Sequence, residues 1–431
     1  MAQDTHEDEV HMNRDQLNFL LLNIGHFLDH LFTLIFATVA ALALHREWGI
    51  GYGALLAYAT PGFFAFGVFA LPAGWLADRW SRDGMMCLFF LGIGLAAIAT
   101  SFAQSPLQIG AGLFVIGMFA AIYHPVGLAI VTMKWRDTGM RLAMNGVWGN
   151  LGVACAALIT GYLIDHGGWR MAFVLPGAFS IFMGLVYMIA RWDGIRSDLS
   201  EPNKARDGGA IQSSPAYRAL LVRVSAIVFL TTAVSSVIFQ STTFALPKIF
   251  DERLHGLAVQ LSSWIDGAAG LENEGVATVV GSLAFIVFAV ASMAQLVVGA
   301  MLDRFGPRHV FMSVATLQII FFSLMPGLND AAALAVALGF MLGAFGQIPI
   351  NDFMIGKMAS GPHRARIYGV RYVVSFSALA ATLPLIAFVY ENWGFDTLFR
   401  ILSGAALVIL AAVVILPKRL PTPDSEKSPA E

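Results

Sequence analysis

Apolar runs alternate with short clusters of Gly, Pro and charge along the whole chain, and the runs are long. Twelve of them span residues 17–44, 52–76, 84–103, 107–132, 139–164, 170–190, 220–246, 276–302, 308–327, 331–356, 366–390 and 396–416. Each reaches the length of about 20 residues that a helix needs to cross a ~30 Å hydrocarbon core. The pattern predicts an all-α membrane protein of twelve transmembrane helices. The first run carries a polar stripe, Asn23-Ile-Gly-His26-Phe-Leu-Asp29-His30. At about 100° per residue, Asn23, His26 and His30 share one helix face and Asp29 borders it. A carboxylate at mid-bilayer costs about 2.5–3.5 kcal/mol on insertion scales. The stripe is therefore expected to face protein or water and not lipid.

Between the sixth and seventh runs, Asp193–Pro215 is rich in charge, Gly and Ser and reads as a flexible linker. This divides the chain into an N-terminal tail (1–16), a six-helix bundle (17–192), a linker (193–217), a second six-helix bundle (218–416) and a polar tail (417–431). Residues 248–275 make an unusually long connection, in which Leu254, Leu257, Leu261 and Ile265 have helical spacing. They form either an interfacial helix or a loop of no special function.

Composition agrees: 57% of residues are hydrophobic and only 13% charged, which is too apolar for a soluble domain. A net charge of −2 gives no reason to expect a nucleic-acid partner. Cys87 and Cys155 lie in apolar runs without C-x-x-C spacing and read as small buried hydrophobes. Met1–Asp15 is acidic and polar, unlike a signal peptide. With the N-terminus inside, 21 of the 26 Lys and Arg residues fall on the inner side. Only Arg46, Arg170, Lys248, Arg253 and Arg400 fall outside. That asymmetry predicts both termini in the cytoplasm and an even number of spans, in a bacterial-type cytoplasmic membrane.

The two halves repeat. Gly74-Trp-Leu-Ala-Asp78-Arg79-Trp-Ser-Arg82-Asp83 ends span two, and Gly299-Ala-Met-Leu-Asp303-Arg304-Phe-Gly-Pro-Arg308 ends span eight, 225 residues later. Pro125 with Pro349, Gly146 with Gly369 and Phe173 with Phe399 keep nearly the same offset, as a 6+6 duplication requires. Gly74 and Gly299 are expected to permit close helix approach. Asp78 and Asp303 are placed to cap a neighbouring helix or to pair with Arg79, Arg82, Arg304 or Arg308.

On these motifs the chain resembles the major facilitator superfamily, whose G-x-L-A-D-R-x-G-R-K pattern is nearly met, with Ser81 for Gly and Asp83 for Lys. Tyr123-His124-Pro125 and Gly149-Asn150-Leu-Gly152 are similar to the fosmidomycin-resistance-type exporters of that superfamily. The resemblance implies a latch of loop motifs at the inner gate and a cavity lined by spans one, four, seven and ten. It thereby implies that Asp29 and Asp352, the acidic residues well inside predicted spans, reach that cavity from opposite halves. Tyr123 and His124 join from span four, Gln240 from span seven and Asn351 from span ten. Pro125 and Pro349 each withhold an N–H from a carbonyl four residues earlier, at Ala121 and Phe345.

Asp29 flanked by His26 and His30 reads as a proton carrier, since burial raises a carboxylate pKa while a neighbouring imidazolium lowers it. A packing network without proton traffic is the blander reading. His26, Asp29 and His30, completed by His124, are also a possible transition-metal set, although no second cluster faces them. Asn145 and Asn150 read as interhelical hydrogen-bonding groups, and Arg371 as a snorkelling side chain. No P-loop, nucleophile elbow or H-E-x-x-H is present, so an enzyme is not expected, nor a cofactor. The expectation is a secondary transporter working by alternating access, with protons as coupling ion. Efflux of a small organic molecule by antiport comes first, from a cavity partly lined by Phe32, Phe63, Phe64, Phe244 and Phe345. Uptake by symport or facilitated diffusion is the alternative, followed by metal transport. A monomer embedded in the lipid bilayer suffices for this architecture.

Overall fold

The computed structural model describes residues 14–135, 138–200, 215–269, 275–358 and 364–417, and these are helical apart from short turns. Ten segments are long and apolar enough to cross a membrane. Two of them are double. Val276–Leu324 holds 49 residues, about 74 Å if straight at 1.5 Å per residue, more than twice a bilayer core. It turns back at Gly306 (φ 75°), in the left-handed region where only Gly sits without strain. Arg364–Val414 turns likewise at Gly394 (φ 74°). Counted this way the chain makes twelve passes, as the apolar runs predict.

Span one is Arg14–Glu47, span two Tyr52–Arg79, span three Arg82–Ser101 and span four Pro106–Lys134. Spans five to seven are Thr138–Gly167, Met171–Ser200 and Pro215–Arg253. Spans eight and nine are residues 276–306 and 307–324, span ten is Asp330–Met358, and spans eleven and twelve are 364–394 and 395–414. Span six stays helical to Ser200, so the expected linker begins later than residue 193, and residues 201–214 lie outside the described ones. The long connection after span seven contains a helix, His255–Ala269. The helical spacing of its leucines was the better guide there. Leu254 is buried, and Asp330 accepts from the Leu257 N–H at 3.0 Å.

Span four is interrupted. Pro125 offers no N–H to the Ala121 carbonyl, and the helix breaks at Ala121–Ile122 before restarting at Tyr123. Span ten, by contrast, runs through Pro349 unbroken, so the two matched prolines do not have matched effects. Span one contains a turn of π-helix at Ala40–Leu44, which no periodicity announced.

Span one packs on span five, span three on span six and span two on span four. The halves meet where span five crosses span eight. A Cβ at Gly161 would lie 2.3 Å from the Ala277 carbonyl oxygen, and one at Gly281 would lie 2.4 Å from that of Ala157. Only hydrogen fits at either position. Span eight also takes its N-terminal cap from the other half. Gly275 precedes the helix and has no side chain to cap it. Asp165 of span five supplies the acceptor, its Oδ2 taking the Thr278 N–H at 2.7 Å and the Thr278 hydroxyl at 2.6 Å. At the same end Arg46 donates to Asp251 at 2.8 Å, and Asp251 also accepts from the buried Lys248 at 2.8 Å. The rings of Tyr52 and Tyr390 meet edge to face, 5.4 Å between centroids. This end of the molecule is shut.

At the arginine-rich end the loop motifs hold to their own halves. Arg82 donates to Asp78 at 2.6 Å, and Arg308 to the Val414 carbonyl at 2.7 Å. Among the described residues no ion pair joins Asp303 to Arg304 or Arg308. Gly74 would bring a Cβ to 3.3 Å from Pro125, the close approach expected, but Gly299 has open space around it. Among the described residues no hydrogen bond or ion pair joins the two loop motifs across the halves. The two departures from the motif have structural roles. Ser81 caps span three through the Gly84 N–H at 3.0 Å. The buried Asp83 accepts from Tyr187 at 2.7 Å and from Arg191 at 2.6 Å, tying span three to span six.

Candidate functional site

The polar stripe of span one meets the broken middle of span four and the start of span five. His26 is buried against Asn145, with its Nδ1 2.8 Å from the Asn145 carbonyl oxygen. A carbonyl only accepts, so Nδ1 carries hydrogen and Nε2 of the neutral ring presents a lone pair. The Nε2 of His30 lies 3.2 Å from it and is the donor. Asn145 anchors the wall further, its amide donating to Asn23 Oδ1 and to the Tyr123 hydroxyl, both at 2.9 Å. The Tyr123 hydroxyl donates to the Leu22 carbonyl at 2.8 Å, and its ring stacks on His26 at 4.9 Å. The turn at Ala121–Ile122 is what aims Tyr123 and His124 at span one.

Asp29 is fully buried, one step off the His26–His30 face, and points to span four. His124 Nε2 stands 3.3 Å from Asp29 Oδ2. Neither carboxylate oxygen has an aligned donor among the described residues. The His124 side chain is 18% exposed, so it is less buried than the carboxylate it faces. The rings of His26, His30 and His124 lie 4.9 to 5.5 Å apart, and one nitrogen of each falls within 4.8 Å of the others.

The Gly149–Gly152 pattern is explained by this wall. A Cβ at Gly149 would lie 2.6 Å from His26 Nε2, and one at Gly152 would lie 2.2 Å from the Phe27 carbonyl oxygen. The two glycines let span five lie against span one.

Two spaces flank the cluster. A cavity of about 450 Å³ toward the arginine-rich end is lined by Gln16, Asn23, Arg141 and Trp148, among others. On the far side Phe32, Phe36, Phe63, Phe66 and Phe244 enclose an apolar pocket of about 20 Å³, room for one water and no more. Phe66 meets His124 edge to face at 6.0 Å. Phe64, expected among the lining aromatics, is instead 57% exposed, since one helical step of 100° turns it away from Phe63. Phe345 is buried against Phe239 and Phe288.

On the facing half Asp352 is exposed. Asn351 is buried in a chain of amides and hydroxyls. Thr232 lies 3.5 Å from its oxygen, its own amide donates to the Gln347 carbonyl at 3.3 Å, and Gln347 donates to the Ser235 carbonyl at 3.0 Å. Gln318 of span nine donates to Gln347 at 3.2 Å. Gln318 and Gln347 were not among the expected residues, though uncharged amides inside apolar runs were the available signal. Gln240 is half-buried on span seven, Asn150 is half-buried on span five, and the Arg371 side chain lies outside the described ones.

Comparison with known proteins agrees with this architecture. The chain is 24% identical to the 4-hydroxybenzoate transporter PcaK of Pseudomonas putida over 90% of this chain and 89% of that one. It is 25% identical to the gallate transporter of Pseudomonas putida, over 86% of each. A niacin transporter, NiaP of Acinetobacter baylyi, is 27% identical over 40% of this chain and 38% of its own. Among solved structures, a peptide transporter POT superposes with a TM-score of 0.70 at 15% identity, over 94% of this chain and 99% of that one. A bacterial homologue of the lysosomal transporter Spinster, inward-facing and occupied, gives 0.65 at 16% identity, over 93% and 94%. None of these relatives supports the fosmidomycin-resistance branch or drug efflux. The model of the Major Facilitator Superfamily matches residues 22–272 and 268–431. This chain, an integral membrane transporter and not an enzyme, belongs to the Major Facilitator Superfamily.

Proposed function

We propose that this chain takes up a small aromatic carboxylate by proton symport across a cytoplasmic membrane, with both termini inside. Asp29 carries the reading: a fully buried carboxylate without an aligned donor, 3.3 Å from the partly exposed imidazole of His124. A proton is the smallest partner that satisfies such a group, and His124 is the side chain through which it arrives. The relatives matched over nearly their full length are named for 4-hydroxybenzoate and gallate, each an aromatic ring bearing a carboxylate. The phenylalanines beside His124 leave room for one water in this state, and on parting of the halves they would offer such a ring an aromatic lining.

In the present state the pocket is closed on its far side and the larger cavity lies toward the arginine-rich, inner end. Substrate and proton leave together toward that cavity, and the halves then rock to reopen the aromatic side.

Purified protein in liposomes, acid outside, is expected to accumulate 4-hydroxybenzoate, gallate or niacin. Asp29→Asn should abolish ΔpH-driven accumulation while retaining exchange of labelled for unlabelled substrate. Accumulation undiminished in Asp29→Asn refutes the coupling role. Failure of every aromatic carboxylate to be transported or to raise the melting temperature refutes the substrate class.

A further inference from the structure

We infer that His26, His30 and His124, with Asp29 beside His124, form a binding site for a divalent transition-metal ion of the imidazole-preferring kind, zinc being the probe of choice. The argument is one of donor spacing. A tetrahedral ion held at about 2.0–2.1 Å by nitrogen or oxygen separates its donors by about 3.3 Å. His26 Nε2 and His30 Nε2 are 3.2 Å apart, and His124 Nε2 and Asp29 Oδ2 are 3.3 Å apart. The His26–His30 edge is thus already at length. One nitrogen of each of the three histidines lies within 4.8 Å of the others, so a relative adjustment of about 1.5 Å brings the three imidazoles to that spacing.

The supporting groups are those a ligating histidine needs. His26 gives its other ring hydrogen to the Asn145 carbonyl at 2.8 Å, which holds Nε2 as the free donor atom. Tyr123 stacked on the ring, and Gly149 behind it, fix the plane. Asp29 brings a negative charge with no aligned donor on either oxygen, which a cation neutralises. Three imidazoles and one carboxylate favour zinc, nickel, cobalt or copper over magnesium or calcium, which prefer all-oxygen shells. Binding displaces the hydrogen that His30 shares with His26. The three histidines belong to one half, so the ion does not bridge the halves. On the transport reading above it occupies the place of the coupling proton, and it therefore inhibits transport instead of riding with the substrate.

Tag-free protein in detergent, titrated against a chromogenic zinc chelator at neutral pH, is expected to take up one zinc per chain. X-ray absorption at the zinc edge should show an imidazole shell at about 2.0 Å. His30→Gln and His124→Gln should each weaken binding at least about tenfold. His166→Gln and His309→Gln, at exposed histidines elsewhere, should leave it unchanged. Absence of competition at micromolar zinc, or a zinc shell of oxygen alone, overturns the site. So does binding that the cluster variants leave intact. Should a variant fail to stay monodisperse, the wild-type stoichiometry and spectrum decide alone. Zinc that binds as expected but leaves ΔpH-driven transport untouched would count against the transport reading and not against the site.

Discussion

Asp165 holds the closed end of the molecule by capping a helix of the opposite half, and Asp165→Ala tests that arrangement. Span eight starts after Gly275, which has no side chain with which to cap it. In the closed state the half-buried Asp165 accepts two hydrogen bonds from Thr278, at 2.6 and 2.7 Å. Hydrogen bonds to a charged group contribute about 1.5–3 kcal/mol each, and the helix dipole adds about 0.3–1 kcal/mol. Partial exposure reduces that sum, leaving about 2–3 kcal/mol. When the halves part, both bonds are exchanged for bonds to water, so their loss penalises only the closed state. With about 1.4 kcal/mol per factor of ten, Asp165→Ala shifts the equilibrium toward the state open on the aromatic side by roughly 30- to 140-fold. The assay is thiol labelling of Phe63→Cys in a chain from which Cys87 and Cys155 have been removed, using an impermeant reagent applied to the outer face. Phe63 lines the pocket that now admits one water, so the label enters only when that end opens. The labelling rate should rise by at least tenfold in Asp165→Ala and stay near the parent in Asp165→Glu. A rate unchanged in Asp165→Ala, in protein of normal melting temperature, would refute the capping argument.

Gly161→Ala places a methyl 2.3 Å from a backbone oxygen of span eight, and overpacking of this kind costs about 1–3 kcal/mol. It should act in the same direction as Asp165→Ala in the labelling assay. Tyr123→Phe removes the hydroxyl bonded to Leu22 and Asn145, leaving a buried carbonyl without its partner at about 1–3 kcal/mol. A lower melting temperature, with the metal site weakened less than in His30→Gln, is the expected result. Asp83→Ala strips the buried partner from Arg191 and Tyr187 and should destabilise by about 3–5 kcal/mol, read as loss of monodisperse protein on heating. Restoring stability in the double variant Asp83→Ala, Arg191→Met would show that the uncompensated charge is responsible.

Apolar run length and the sign of the loop charges are local properties, set by the thickness and dielectric of a bilayer, and they were enough for the twelve passes and the two halves. The 225-residue repeat of the loop motif and the helical phase of Asn23, His26 and His30 were equally legible, because a helix preserves the order of its residues on a face. Contacts between helices were not. Pro125 breaks its span while Pro349 does not, a difference the matched sequence positions do not carry. Asp29 and Asp352 were both expected at the cavity, and their burial, complete for one and slight for the other, was not legible along the chain. Phe63 and Phe64 were both expected at the cavity, and 100° of helix puts Phe63 at the pocket and Phe64 at the periphery. Asn145 as the hub of the histidine wall, the cross-half cap on Thr278 and the 3.2 Å pair of imidazoles are distances between segments far apart in sequence. The sequence by itself determined the spans and their polar stripes, and only the packing of those spans decided which polar groups meet, since hydrogen bonds and metal shells are won or lost over about 1 Å.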